Sequence, residues 1–87
     1  MLTELDKAVL FTIYKRANKS KKAHFSIEFI CKGFPTNQHG FIKRSVEKLR
    51  KIGLLYIKPH PSGRSYGLTD EGWELARKLE EKCKTKL

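Results

Sequence analysis

Cysteine is scarce in this chain, and the few metal-binding side chains are widely scattered. The two cysteines, Cys31 and Cys83, lie outside any CxxC pattern. Together with the three histidines they form no spacing typical of a metal site. Such isolated cysteines predict free thiols, with a disulfide more plausible only in a protein of hyperthermophilic origin. The sequence therefore predicts no metal and no cofactor.

Long apolar runs and catalytic motifs are also missing. No segment approaches the roughly 20 apolar residues that a membrane-spanning helix needs, and residues 1–4 do not resemble a signal peptide. The chain has no phosphate-binding loop, no GxGxxG motif, and no nucleophile–base pair or paired carboxylates at a catalytic spacing. These absences predict a cytoplasmic protein that is neither an enzyme nor inserted in a membrane.

Acidic side chains are few. Nine acids against 19 lysines and arginines give a formal net charge of +10 over 87 residues, a length that suits one domain spanning 1–87. The excess lies in the middle of the chain, whereas acids and bases balance within residues 70–87. A compact basic domain favours a polyanionic partner, either nucleic acid or an anionic membrane surface.

Residues 36–53 have the pattern of an amphipathic helix. Thr36 is a suitable N-cap, and Gly53 is a suitable C-terminal residue because glycine adopts the left-handed conformation without a Cβ penalty. The opposite face is polar and mainly basic, which suits a helix in a DNA groove and equally a solvated surface helix. Apolar residues recur at helical spacing along one face, at Ile42, Val46, Leu49 and Ile52.

The remaining elements surround this helix. Thr3 and Ser26 are capping residues for two earlier helices, and residues 23–25 have the composition of a short strand. Two β-rich runs flank the turn-rich residues 59–63 and predict a hairpin, and Thr69 begins a last helix. The resulting order is helix, strand, helix, helix, strand, strand, helix. The predicted fold class is mainly α with a small β-hairpin (α+β).

Two segments, residues 46–55 (VEKLRKIGLL) and 66–72 (YGLTDEG), resemble the winged helix-turn-helix DNA-binding domains. The chain is similar to small MarR- and PadR-type regulators of archaea, bacteria and their viruses. The resemblance implies a recognition helix at 36–52 in the major groove of double-stranded DNA. It also implies a wing at 58–64 that contacts the minor groove or the backbone.

The resemblance and the residue chemistry together select candidate DNA contacts. Amide and arginine side chains early in the helix suit base edges, whereas later lysines suit phosphates. Gly40 either permits a close approach to DNA or marks an irregular entry to a helix that starts later. The predicted contacts are Asn37, Gln38, Lys43 and Arg44 for bases, Lys48 and Lys51 for phosphates, and Lys58 and Arg64 on the wing.

The electrically balanced C-terminal helix, residues 70–87, is a candidate dimer surface. Its apolar face either closes the core of the monomer or pairs with a second subunit, and we predict a homodimer. The residues of that face are Trp73, Ala76, Leu79 and Cys83.

The leading hypothesis is a sequence-specific transcriptional regulator that binds double-stranded DNA. One alternative is an architectural protein that binds DNA without reading its bases. A second is a winged-helix module that associates with RNA or with another protein, because a fold alone does not determine function.

Overall fold

A computed structural model describes residues 2–61 and 63–85, apart from the side chains of residues 60 and 83–85. This part of the chain confirms the predicted order and the α+β class, and the arrangement is that of a winged helix. A 3₁₀ turn, Thr36–Gln38, precedes the third α-helix. The elements are α1 (Glu4–Ala17), β1 (Phe25–Ser26), α2 (Ile27–Cys31), α3 (His39–Lys51), β2 (Leu55–His60), β3 (Gly63–Leu68) and α4 (Asp70–Thr85).

Three side-chain caps determine where α1, α2 and α4 begin. Thr3 forms a capping box with Asp6, in which each side chain accepts from the backbone N–H of the other residue. Ser26 Oγ accepts from the backbone N–H of Phe29 at 3.2 Å. Thr69 Oγ1 accepts from Gly72 N–H at 3.1 Å. Each cap satisfies an N–H group that the helix itself leaves unpaired, as the sequence predicts.

The three strands form an antiparallel sheet in the order β1-β3-β2. The strand predicted at 23–25 lies slightly later, where Phe25 pairs with Tyr66 of β3. The hairpin is longer than predicted, because pairing continues to His60 opposite Gly63 and leaves a short turn instead of five residues. Pro59 lies inside β2, which is an edge strand and therefore tolerates a residue without a backbone N–H.

A single hydrophobic core lies between the helices and the sheet. Its largest fully buried side chains come from α1, α2 and α3, so these three helices are held in one relative orientation. They are Val9, Leu10, Ile13, Ile30, Ile42, Val46 and Leu49.

The dimer contacts predicted at Trp73 and Ala76 are wrong, because both residues belong to this core. Their exposed fractions are 8% and 0%, and the Trp73 ring meets the Tyr14 ring edge-on with centroids 5.3 Å apart. Leu79 is half-buried against the same core. The side chain of Cys83 lies outside the described residues. The apolar face of α4 therefore closes the monomer.

The third helix starts later than predicted. Thr36 makes no side-chain cap, and residues 36–38 form the 3₁₀ turn instead. His39 Nε2 donates to the carbonyl oxygen of Phe34 at 3.0 Å and ties the start of α3 to the turn after α2. Gly40 lies within the helix, as its second residue.

The end of α3 is as predicted. Gly53 has a φ of +87°, and the N–H of Leu54 donates to the carbonyl of Leu49 at 2.9 Å, which together form a Schellman ending. Ile52 is 54% exposed rather than part of the apolar stripe. Ile52 lies beyond Lys51, the last residue of α3, as its C-cap, so the apolar face of the helix does not extend to it.

Two helical glycines give opposite predictions for replacement by alanine. A Cβ at Gly72 would lie 2.2 Å from the carbonyl oxygen of Leu54, whereas a Cβ at Gly40 meets nothing within 4 Å. We expect Gly72→Ala to lower the free energy of unfolding by about 2 kcal/mol, since the backbone must shift. Gly40→Ala should raise it by up to about 1 kcal/mol, because alanine is the better helix former. Urea denaturation of both variants tests the pair, and equal effects would contradict it.

Candidate nucleic-acid interface

The exposed face of α3 is predominantly basic. Lys43, Arg44 and Lys51 are exposed, while the opposite face of the helix is buried in the core. Asn37 and Gln38 are also exposed, in the 3₁₀ turn that leads into the helix. Five of the eight predicted contacts are therefore exposed side chains of residues 37–51.

Glu47 is an acid within this basic face, and its contacts turn it toward the sheet. Tyr66 Oη donates to Glu47 Oε2 at 3.1 Å, and Arg50 Nη2 donates to Oε1 at 3.1 Å. The hydrogen bond from Arg50 lowers the pKa of Glu47, and the bond from Tyr66 adds to this effect against the opposing effect of burial. The carboxylate is thus charged at neutral pH, but its charge is matched by Arg50.

A groove of about 1030 Å³ separates α3 from the wing. Lys43 of α3 and Arg64 of β3 both line it, together with Glu28 and Glu47. Burial and the neighbouring Glu47 raise the pKa of Tyr66, and Arg64 opposes this rise. The charge of Arg64 also adds to the lowering of the Glu47 pKa by Arg50, as expected of a guanidinium that faces α3. The fold therefore brings Arg64 and Lys43, distant in sequence, to the two sides of one groove.

The two predicted wing cations do not share a face of the hairpin. In the β2–β3 register Lys58 lies opposite Ser65, and Pro59 lies opposite Arg64. Because side chains alternate between faces along a strand, Lys58 and Arg64 point to opposite sides. Arg64 faces the groove, and Lys58 is exposed on the other side.

Lys48 has a different partner from the phosphate predicted for it. Its Nζ donates to Asp6 Oδ2 at 2.7 Å, and Asp6 also accepts a short hydrogen bond from the Ser45 hydroxyl. Asp6 is only 4% exposed, although it carries a charge. The ion pair joins α1 to α3, and the Lys48 ammonium is therefore matched by a carboxylate of the domain itself.

The pKa of Asp6 reflects this environment. Burial alone raises the pKa of the carboxyl, but hydrogen bonds from Lys48, Ser45 and Thr3 outweigh burial. The pKa consequently lies well below its ordinary value of 3.8. The carboxylate stays ionised at neutral pH and holds the two helices together.

Phe41 is a surface residue that the sequence reasoning missed. It is 56% exposed in the first turn of α3, and the Arg44 guanidinium carbon lies 5.8 Å from its ring centroid. Phe41 directly precedes the buried Ile42, and neighbours on a helix are rotated by about 100°. This rotation could have predicted that Phe41 points to solvent when Ile42 points into the core.

Other kinds of site find no support in the part of the chain that the structure describes. Residues 2–61 and 63–85 contain no group of three potential metal ligands. None of the helices within those ranges is both long and apolar enough to cross a bilayer. Cys31 is a free, buried thiol, as predicted, and burial raises its pKa.

Comparisons with known proteins show the fold. No protein-family model matches the chain, and neither does any curated protein sequence. The crystal structure of AF1382 from Archaeoglobus fulgidus matches with a TM-score of 0.79 and 16% identity, covering 98% of this chain and 90% of that one. A proposed DNA-binding protein from Ralstonia eutropha JMP134 matches with a TM-score of 0.69 and 23% identity, covering 91% and 98%. At these identities the chain shares the fold of both proteins over nearly its whole length.

Proposed function

We propose that this protein is a sequence-specific transcriptional regulator that binds double-stranded DNA. The observation that carries the proposal is the exposed row of Lys43, Arg44 and Lys51 on a helix whose other face is buried. The major groove, about 12 Å wide, admits an α-helix. The packing of α3 holds its core face against the domain and leaves its basic face free to enter that groove.

The position of Arg64 adds a second contact to the proposal. Arg64 and Lys43 both line the groove between α3 and the wing. With α3 in the major groove of the DNA, the Arg64 guanidinium would lie beside the adjacent DNA backbone or minor groove. Arginine suits a narrow minor groove, where the negative potential is enhanced. The Ralstonia protein is itself described as a proposed DNA-binding protein, which supports DNA binding in general and not this particular contact.

We further propose that the protein acts in the cytoplasm by occupying promoter DNA, without catalysis and without a cofactor. A homodimer on a pseudo-palindromic site is part of this proposal, because the symmetry of a site mirrors that of the protein. The dimer contacts in this proposal do not include Trp73 and Ala76, whose side chains are buried within the monomer. The proposal includes a relationship to MarR- and PadR-type regulators, on the resemblance of residues 46–55 and 66–72.

Replacing Arg44 with alanine tests whether the helix reads bases. Arginine contacts guanine through two hydrogen bonds, each such pair contributing about 1–3 kcal/mol of discrimination. We expect Arg44→Ala to lose about tenfold or more of the preference for one base at one position, and to keep the preferences elsewhere. Fluorescence anisotropy on duplexes that carry each base at that position measures the effect.

Arg77→Ala is the matched control for this measurement. Arg77 is exposed on α4, a helix that packs on α1 and β3 and is not part of the proposed DNA-binding surface. Its replacement removes the same charge from the domain and should leave every base preference unchanged. Uniform weakening by Arg44→Ala on all four bases would favour the architectural alternative, and tighter binding to RNA would overturn the proposal.

A further inference from the structure

The first turn of α3 presents an aromatic ring to solvent. Phe41 is the third residue of the helix and is 56% exposed. Its neighbour Gly40 has no side chain, and nothing lies within 4 Å of the position that a Cβ would take there. The ring is therefore accessible at the end of the helix that usually contacts base edges in helix-turn-helix proteins.

The surroundings of Phe41 are polar and cationic rather than apolar. Arg44 lies over the ring at 5.8 Å, and Gln38 and Lys43 are exposed nearby in the chain. Ile52, the other exposed large apolar side chain within residues 2–61 and 63–85, lies 11 positions further along. That separation is roughly 16 Å along a helix axis at 1.5 Å per residue.

This arrangement restricts the kind of partner that the ring fits. Protein-binding surfaces are typically contiguous apolar patches of a few hundred Å², and a single ring among cations does not form one. A partner that suits both the cations and the ring must be an anion with an isolated apolar group. The major groove of DNA has this character, because thymine carries a C5-methyl group between the phosphate backbones.

We propose that Phe41 is a specificity-determining residue that contacts the C5-methyl group of a thymine in the major groove. The inference rests on the proposed function, since it requires α3 to lie in that groove. Because the Arg44 guanidinium lies over the Phe41 ring, the base that Arg44 contacts would be next to this thymine. The helix would then select a thymine and an adjacent guanine through one Phe–Arg pair.

The size of the effect follows from the burial of one methyl group. Transfer of a single methyl or methylene group from water changes a binding constant by about fourfold. The thymine preference should therefore be weaker than the guanine preference that Arg44 provides. It should also be insensitive to salt, because no charge takes part.

Replacement of thymine by deoxyuracil tests the inference directly. Duplexes of the site selected by the wild-type protein are made with one thymine at a time replaced, which removes the methyl group and leaves every hydrogen-bonding group in place. We expect a single replacement, at the corresponding position of either half-site, to weaken wild-type binding about fourfold. Phe41→Ala should bind the thymine and deoxyuracil duplexes equally, and Phe41→Leu should keep part of the difference between them.

Ile52→Ala is the matched control, because Ile52 is 54% exposed and lies at the other end of the helix. It should keep the fourfold effect of the methyl group. Wild-type binding that is indifferent to every deoxyuracil replacement would overturn the inference, as would an undiminished effect in Phe41→Ala. If the wild-type protein selects no sequence at all, the proposed function itself fails and takes this inference with it.

Discussion

Replacing Lys48 with methionine should destabilise the domain by about 3 kcal/mol, since it leaves a buried carboxylate without its cation. Breaking a fully buried ion pair costs about 3–5 kcal/mol, and we take the lower end because the side chain of Lys48 is 40% exposed. Asp6 would keep its hydrogen bonds from Ser45 and Thr3 but lose its ion pair with Lys48. Urea denaturation followed by circular dichroism measures the free energy of unfolding.

Lys51→Met is the control for this prediction. Lys51 lies on the same helix and is exposed, so its replacement removes the same charge without unpairing a buried acid. It should change the stability by no more than about 0.5 kcal/mol, as is usual for surface substitutions. Equal stability of Lys48→Met and Lys51→Met would show that the Asp6–Lys48 pair does not join the helices.

The stability difference between the wild type and Lys48→Met should depend on pH with a definite sign. The pKa of Asp6 in the folded protein is lowered from 3.8, so its ionisation stabilises the fold above that value. As the pH falls below 3.8, the unfolded chain takes up a proton that the folded protein resists, and this stabilisation is lost. The difference between the two proteins should therefore narrow in acid and be full at neutral pH.

Binding of the selected duplex should weaken by about 40-fold between 50 and 200 mM salt, if Lys43, Lys51 and Arg64 each neutralise one phosphate. Each phosphate contact contributes about −0.9 to the slope of log K against log salt, so three contacts give a slope of about −2.7. A shallow slope would show that this surface does not bind a polyanion. Titrations by fluorescence anisotropy at several salt concentrations give the slope.

Single substitutions then assign the slope to residues. Lys51→Gln should make the slope shallower by about 0.9 and weaken all duplex sequences equally, because a phosphate contact carries no sequence information. Lys78→Gln is the control, since Lys78 is exposed on α4, away from α3. The same change in slope for both variants would mean that the charge of the whole domain, rather than the α3 face, determines binding.

The elements whose signals are local in sequence were predictable. Thr3, Ser26 and Thr69 act within three residues of themselves, so their capping roles can be read from short motifs. The left-handed residue at Gly53 and the pairing of two β-rich runs are likewise local. These signals were enough to predict the winged-helix order of elements.

The errors with the largest consequences for the candidate site concern contacts between distant parts of the chain. The partner of Lys48 is 42 positions away at Asp6, and no local pattern indicates that pairing. The sequence of α4 is compatible with both a core face and a dimer surface. The contact of Trp73 with Tyr14, 59 positions earlier in α1, shows that this face belongs to the core. The placement of Arg64 across from Lys43, and of Lys58 on the other face, depends on strand register, which composition alone does not determine.

Selection from a random duplex library shows whether the exposed face of α3 reads base sequence. The wild-type protein and Arg44→Ala are each taken through several rounds of binding, and the recovered sequences are compared. We expect an enriched, two-fold symmetric site for the wild-type protein, and the same site without its guanine preference for Arg44→Ala. Recovery of unbiased sequences by the wild-type protein would mean that α3 does not read bases.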